Sequence, residues 1–205
     1  MQLNWFDLLA IAVVVVGILR GKKRGMSEEL LDVLQWLLVV VVGAMLYKPV
    51  GNFIATHGRI GYLAGHMIGY AMWLVVFVLL FALLKRAVGE KLVHSDAFGA
   101  LEYYLGMIAG AFRYACILLF AMALLHAVYI SPAERERQAV IQKESFGSVS
   151  FPTIASLQHT VFSESAVGKF VEAKFGAQLI DPISSSGPVD SIGTRRTRLF
   201  EEAGQ

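Results

Sequence analysis

Along the first 130 residues, apolar runs long enough to cross a bilayer alternate with short polar interruptions. A helix spans the hydrocarbon with about 20 apolar residues, within a range of about 17–25. Four runs meet that length. Leu3 to Leu19 carries one charge, Asp7, and Leu30 to Tyr47 carries one, Asp32. Ile60 to Leu84 carries none, and Leu105 to Ile130 carries only Arg113. A buried helix of a soluble protein can imitate one such run, but hardly four in succession. The pattern predicts an all-α polytopic membrane protein with four transmembrane helices.

After Ile130 the pattern changes. A charged stretch of helical composition, Ala133 to Glu144, precedes a break at Phe151-Pro152. Ile154, Leu157 and Val161, then Val167, Phe170, Val171 and Phe175, fit two short amphipathic helices separated near Ser163. Such helices either lie in the headgroup region or cap the outer face of the bundle. Asp181-Pro182 and the run Ser184 to Pro188 open a terminus that reads as disordered, with Arg195, Arg196 and Arg198 within it. The expected organisation is a four-helix domain over 1–130, an amphipathic surface segment over 131–180 and a disordered tail over 181–205.

Composition narrows the class. The chain is 56% apolar and 17% charged, against about 45–50% and about 25% in ordinary globular domains. Of its 34 charged side chains, 17 follow residue 130, so the apolar runs are almost free of charge. A soluble enzyme domain, a disordered chain and a secreted disulfide scaffold are excluded on that ground. A net charge of +2 gives no argument for nucleic acid as a partner. Cys116 lies in an apolar run and, as the lone cysteine, forms no internal disulfide; it reads as a small buried residue. The first run has no base before it and Arg20, Lys22, Lys23 and Arg24 after it, the reverse of a secretory signal, so it is expected to be retained.

Lysine and arginine counts set the expected orientation. Arg20, Lys22, Lys23, Arg24, Lys85, Arg86 and Lys91 occupy the first and third loops, against Lys48 and Arg59 in the second. The first and third loops are therefore expected on the cytoplasmic side and both termini outside. Arg135, Arg137 and Lys143, close behind the fourth run, weigh against this.

Small residues let helices approach closely in lipid, where no hydrophobic drive acts between them. Gly61, Gly65 and Gly69 recur at intervals of four, as do Gly17, Gly21 and Gly25, and Gly106 with Gly110. These stripes predict close packing, although Arg20 to Gly25 is polar enough to form a turn instead. Arg113 stands about eight residues into the fourth run, or roughly 12 Å. An arginine at such depth costs about 2.5–3.5 kcal/mol on insertion scales. The fourth helix runs parallel to the second, and side chains lean toward a helix's N-terminus. Arg113 is therefore expected to pair with Asp32 or Glu29. That pair either fixes helix register or contributes a polar element to a transport path.

His66 shares a helical face with Tyr62, Gly69, Tyr70 and Trp73. It is expected to bond a tyrosine within an aromatic cluster; the alternative is a proton-handling group on a path with Arg113. His126 reads as an interfacial residue. Glu28, Glu29 and Asp32 open a helix behind Ser27, a natural N-cap, where acids favour the positive end of the macrodipole. That account is structural, so no acid–base chemistry is assigned to them. No phosphate loop, zinc-protease helix or nucleophile elbow occurs, and no two histidines stand at a metal-ligand spacing. No catalytic residue, metal ligand or cofactor is expected.

The order of features, with an acid opening the first run, then Arg20-Gly21, Gly25 and Glu29-Leu30-Leu31, then Phe98-Gly99-Ala100-Leu101, Leu105-Gly106, Gly110 and Arg113, resembles the colicin V production (CvpA) family of bacterial inner-membrane proteins. The resemblance covers about residues 5–130. Three positions depart from the family pattern. Glu28 stands where a base is usual before Glu29, Glu102-Tyr103 replaces an Asp-Arg pair, and Tyr114 replaces a glycine. These changes remove basic charge from the cytoplasmic face and put in doubt any binding site built from it. The resemblance implies colicin V-type production or export, or envelope robustness, with no assigned activity. Some relatives fuse the unit to an extracytoplasmic serine protease; no such domain is expected within these residues.

The expected function is a non-enzymatic inner-membrane module that touches lipid, further copies of itself, or other envelope and secretion proteins. The alternative is a small transporter or channel subunit with Arg113, Asp32 and His66 along its route.

Overall fold

The computed structural model describes residues 4–58, 60–93, 99–128, 154–176 and 179–182. These residues are all-helical apart from short connections. Helix α1 spans Trp5–Gly58, α2 spans Tyr62–Val93, and a single 3-10 turn, Gly99–Leu101, leads into α3, Glu102–His126. Two short helices follow, α4 at Ile154–His159 and α5 at Ala166–Phe175, joined through a π-helical turn at Thr160–Glu164. The expected charged helix Ala133 to Glu144, the break at Phe151-Pro152 and the tail from residue 183, with its arginines, lie outside the described residues, as does Arg59. Among the described residues, three helices are long and apolar enough to cross a membrane: Trp5–Gly58, Tyr62–Ala87 and Glu102–His126. The chain is a membrane protein.

With 54 residues, α1 would reach roughly 81 Å as a straight rod, well beyond the roughly 30 Å of bilayer hydrocarbon. Gly25 interrupts it with φ 78° and ψ 171°, a backbone position that only glycine occupies without strain. Where the sequence suggests a polar loop or turn over Arg20 to Gly25, the helix instead runs through Arg24 and breaks at that one residue. Contacts on either side of the break give the direction of each arm. A Cβ on Gly17 would lie 2.7 Å from the Gly110 carbonyl oxygen, one on Gly21 would strike the Gly106 carbonyl, and one on Gly25 would meet Glu102. The arm 5–24 therefore runs antiparallel to α3. In the arm 26–58, Glu29 and Asp32 meet Arg113, and Trp36 meets Phe120, so this arm runs parallel to α3. The chain reverses at Gly25.

Helix α2 lies antiparallel to the second arm, with Tyr70 over Gly43, Gly65 and Gly69 against Gly51, and Lys85 at Asp32. Gly61 is exposed at the end of that stripe. Four rods thus alternate in direction, and their bounds differ from those of the apolar runs: the second arm continues from Tyr47 to Gly58, and α2 continues to Val93. Helix α3 stops four residues short of Ile130, at His126.

The interior between these rods is apolar and aromatic. Val39, Val40, Tyr70, Phe77, Phe81, Cys116, Phe120, Met122 and Ala123 are buried. The Tyr70 and Phe120 rings stack at 5.1 Å, and the Trp36 ring meets Phe120 edge-on at 6.0 Å. The outward residues of α2, including Val75, Leu79, Leu80 and Leu83, are exposed and apolar, as a lipid-facing surface requires.

The end of the bundle away from Gly25 is covered by the last elements. Val161, Phe162, Val171, Leu179 and Ile180 are buried there. The Phe162 ring meets His126 edge-on at 5.1 Å, and Gln158 Nε2 donates to the Val128 carbonyl at 2.9 Å. The helical break falls at Ser165, with ψ 147°, rather than near Ser163. Serine there is favoured because its Oγ accepts from Gly168 N at 2.8 Å and caps α5.

Candidate functional site

Next to the Gly25 break, five charged side chains from every rod of the bundle converge. Glu29 and Asp32 stand one turn apart in the second arm, so both carboxylates share a face. Arg113 of α3 places Nη1 at 2.9 Å from Glu29 Oε2 and 2.7 Å from Asp32 Oδ2. Arg24, in the last turn before the break, reaches Asp32 Oδ2 at 3.1 Å and Glu29 Oε1 at 3.6 Å. Lys85 of α2 pairs with Asp32 Oδ1. Glu29 is 0% exposed as a residue and the Arg113 side chain 16%, whereas Arg24 and Lys85 are each more than a third exposed. The network is sealed on the α3 side and open on the other.

Burying two carboxylates and a guanidinium is costly unless each is paired, which is why the bases arrive from three directions. The pairing is incomplete: Glu29 Oε1 and Arg113 Nε have no hydrogen-bond partner among the described residues. A second acid supports the break. Glu102 Oε1 accepts the Ser27 amide at 2.7 Å, satisfying one of the free donors that open the second arm. Glu102 therefore stands at the start of a neighbouring helix, where negative charge is favoured. Arg20 and Glu28 remain exposed outside this network.

Arg113, Asp32 and Glu29 are brought together, and Gly21, Gly25, Gly106 and Gly110 form the close backbone crossing beneath them. His66 is not part of this group. It lies toward the opposite end, where Nε2 stands 2.8 Å from Asn52 Oδ1 and its ring meets Tyr47 edge-on at 5.5 Å. The sequence suggests a tyrosine as its hydrogen-bond partner; the structure supplies Asn52, because Gly51 leaves room for the imidazole to lie against the second arm. His126 is half-buried against the tail, and its Nδ1 lies 2.8 Å from the Ile180 carbonyl.

Sequence reasoning missed Arg24, Lys85 and Glu102 as members of the charged end, and Asn52 as a partner. Lys85 and Arg24 count in the sequence as topology signals. Only the arrangement of four rods reveals that both reach Asp32. Among the described residues, no group of three or more His, Cys, Asp or Glu is placed to hold a metal ion. The contacts that join the charged side chains are ion pairs and hydrogen bonds.

The family model described as Colicin V production protein matches residues 6–159. Neither the curated proteins nor the solved structures contain a match to the chain. The matched range holds the whole ion network and the glycine crossing, and stops before α5.

Proposed function

The chain belongs to the colicin V production family, and from that premise we propose that it is a non-enzymatic scaffold of the bacterial inner membrane. It would cross the membrane four times and support colicin V-type toxin production and secretion, or envelope homeostasis. It would do so through contacts with lipid, with further copies of itself, or with other envelope and secretion proteins. Four crossings accord with the first arm alone, whose 20 residues reach about 30 Å. Arg24, Lys85 and Arg86 share one end of the bundle, which we assign to the cytoplasm, with both termini outside.

The observation that supports a scaffold over a conduit is the interval between the two polar ends. From Gln35 to Tyr47 the second arm rises about 18 Å, and its buried residues in between are Val39, Val40 and Gly43. Phe77, Cys116 and Phe120 are buried in the facing helices, and the polar atoms there, Tyr70 Oη and Trp73 Nε1, have no hydrogen-bond partner among the described residues that would extend them into a chain. A proton or solute route would need polar groups or water along that stretch. On this reading the ion network locks the rods in register.

The competing reading, a transporter or channel subunit, is favoured by Glu29 Oε1 and Arg113 Nε, which have no hydrogen-bond partner among the described residues and leave hydrogen-bonding capacity inside the bundle. One experiment separates them. Purified protein in liposomes is expected to pass neither protons nor solute, and Arg113→Leu is expected to weaken folding without altering any selectivity. A flux that disappears in a well-folded Arg113→Gln protein would overturn the scaffold. Reporter activity characteristic of the cytoplasm in a fusion at Gln205 would overturn the orientation.

A further inference from the structure

The ion network has one more base than acids: Arg24, Lys85 and Arg113 surround Glu29 and Asp32. A surplus charge in a low-dielectric surrounding is costly unless it reaches solvent or a counter-ion. Here it reaches outward. The side chains of Arg24 and Lys85 are 36% and 38% exposed, while that of Arg113 is 16% exposed, so the excess faces the surface. Arg24 and Lys85 come to Asp32 from two different rods, which puts two cations on either side of one carboxylate.

The neighbouring surface has the same sign. Arg20, Lys22, Lys23 and Arg86 are exposed, and Glu28 is the exposed acid among them. Glu102 adds a further negative charge at this end, where it accepts the Ser27 amide, yet Arg20, Lys22, Lys23, Arg24, Lys85, Arg86 and Arg113 still outnumber Glu28, Glu29, Asp32 and Glu102 among the described residues. At this end Leu101, Tyr103 and Tyr104 open α3 and are 60–64% exposed. Tyrosine, with an apolar ring and a polar tip, favours the boundary between hydrocarbon and water. The two tyrosines therefore set the bases at headgroup depth, where phosphate is the abundant anion.

We propose that Arg20, Lys22, Lys23, Arg24, Lys85 and Arg86 form a binding surface for the phosphate headgroup of an anionic phospholipid, which supplies the negative charge the network lacks. The proposal rests on the membrane-embedded reading given above only in placing this end at a headgroup layer. It holds whether or not the chain conducts solute.

The test uses the full chain in neutral detergent micelles, supplemented with phosphatidylglycerol, phosphatidylcholine or inorganic phosphate. Bound lipid is counted by native mass spectrometry, and the thermal midpoint is read in parallel. Phosphatidylglycerol is expected to remain bound and raise the midpoint, and phosphatidylcholine to do neither. The difference should shrink with added salt, since exposed charges are screened over about 10 Å at 0.1 M. Lys22→Gln with Lys23→Gln, at exposed positions outside the ion network, should keep the midpoint in phosphatidylcholine. The pair should weaken phosphatidylglycerol binding on the order of fivefold for each base removed. Equal retention of the two lipids would overturn the proposal, as would unchanged binding by the double variant. An equal rise with inorganic phosphate alone would reassign the surface to a free anion and overturn the headgroup. None of these outcomes depends on the flux measurement that tests the scaffold.

Discussion

The carboxylate of Asp7, in the first turn of α1, accepts the amides of Ala166 and Val167 at 3.2 and 3.0 Å, across 159 and 160 residues of chain. It is 2% exposed and also accepts Asn4 N at 3.1 Å. Ser165 Oγ takes the next amide, Gly168, and donates its own proton to the Val161 carbonyl at 2.6 Å. The first amides of α5 are thus satisfied by one residue of the first arm and one of the tail. An acid at the positive end of a helix is favoured electrostatically as well. The same end is held by Asn4 Nδ2, which donates to the Thr160 carbonyl at 3.3 Å. The tail is fastened to the bundle by polar bonds at its edge and by Val161, Phe162 and Val171 within.

Asp7→Ala should loosen this attachment without unfolding the bundle. Losing a cap that serves two tail amides costs about 1–3 kcal/mol. Hydrogen exchange at Ala166 and Val167 should accelerate roughly tenfold or more, while the α3 amides near Cys116 keep their protection. Equal acceleration in both places would mean that Asp7 supports the whole fold rather than the tail.

The glycine crossing predicts a graded series. A Cβ on Gly106 would lie 2.5 Å from the Gly21 carbonyl oxygen, and one on Gly21 would strike the Gly106 carbonyl; backbone cannot move aside as a side chain can. Gly21→Ala and Gly106→Ala should each cost about 1–3 kcal/mol, the usual penalty of overpacking. Gly61→Ala, at an exposed position, should stay within about 0.5 kcal/mol of the parent. Denaturant unfolding in micelles gives the order; a Gly61 effect as large as that at Gly21 would refute it.

Arg113 and Lys85 both touch Asp32, yet their removal should differ in cost. Arg113→Leu leaves Glu29 without its nearest cation in a fully buried position, a loss of about 3–5 kcal/mol. Lys85→Met removes a base whose side chain is more than a third exposed, where solvent screening limits the loss to about 1 kcal/mol or less. Arg113→Met combined with Glu29→Met should recover most of the stability, because Asp32 keeps Arg24 and Lys85. If the double variant is as unstable as Arg113→Leu alone, the pair does more than hold the helices in register.

The legible part of this molecule is what depends on local pattern. Apolar runs show as helices because lipid tolerates little else, and helix direction alone points Arg113 at Asp32 and Glu29. Glycine spacing marks stripes, but only the fold shows which stripe meets which: Gly17 and Gly21 lie on Gly110 and Gly106, while Gly65 and Gly69 lie on Gly51. Single polar side chains are harder to place, since nothing near Asp7 in sequence names Val167, and nothing near His66 names Asn52. The break itself is hidden for a related reason. Arg20 to Arg24 is polar enough to resemble a loop, yet its exposed bases sit on a helix whose inner face is glycine.

Two tyrosines in the core predict effects of opposite sign. Tyr70 is 0% exposed and its hydroxyl has no hydrogen-bond partner among the described residues. Its ring stacks on Phe120 and lies over Gly43, contacts that phenylalanine would keep. Tyr70→Phe removes a desolvated, unpaired hydroxyl, so stability should rise by up to about 1–3 kcal/mol. Tyr47 is also buried, but its hydroxyl accepts the Asp181 amide at 3.1 Å, beside the 2.5 Å pair of Lys48 with Asp181. Tyr47→Phe should therefore lower stability by about 1 kcal/mol and free the 179–182 segment. Thermal midpoints of the two variants in the same micelle should move apart. If Tyr70→Phe instead destabilises the protein more than Tyr47→Phe, the Tyr70 hydroxyl holds a hydrogen-bonded ligand or water inside the bundle, and the apolar interval that separates its polar ends is interrupted.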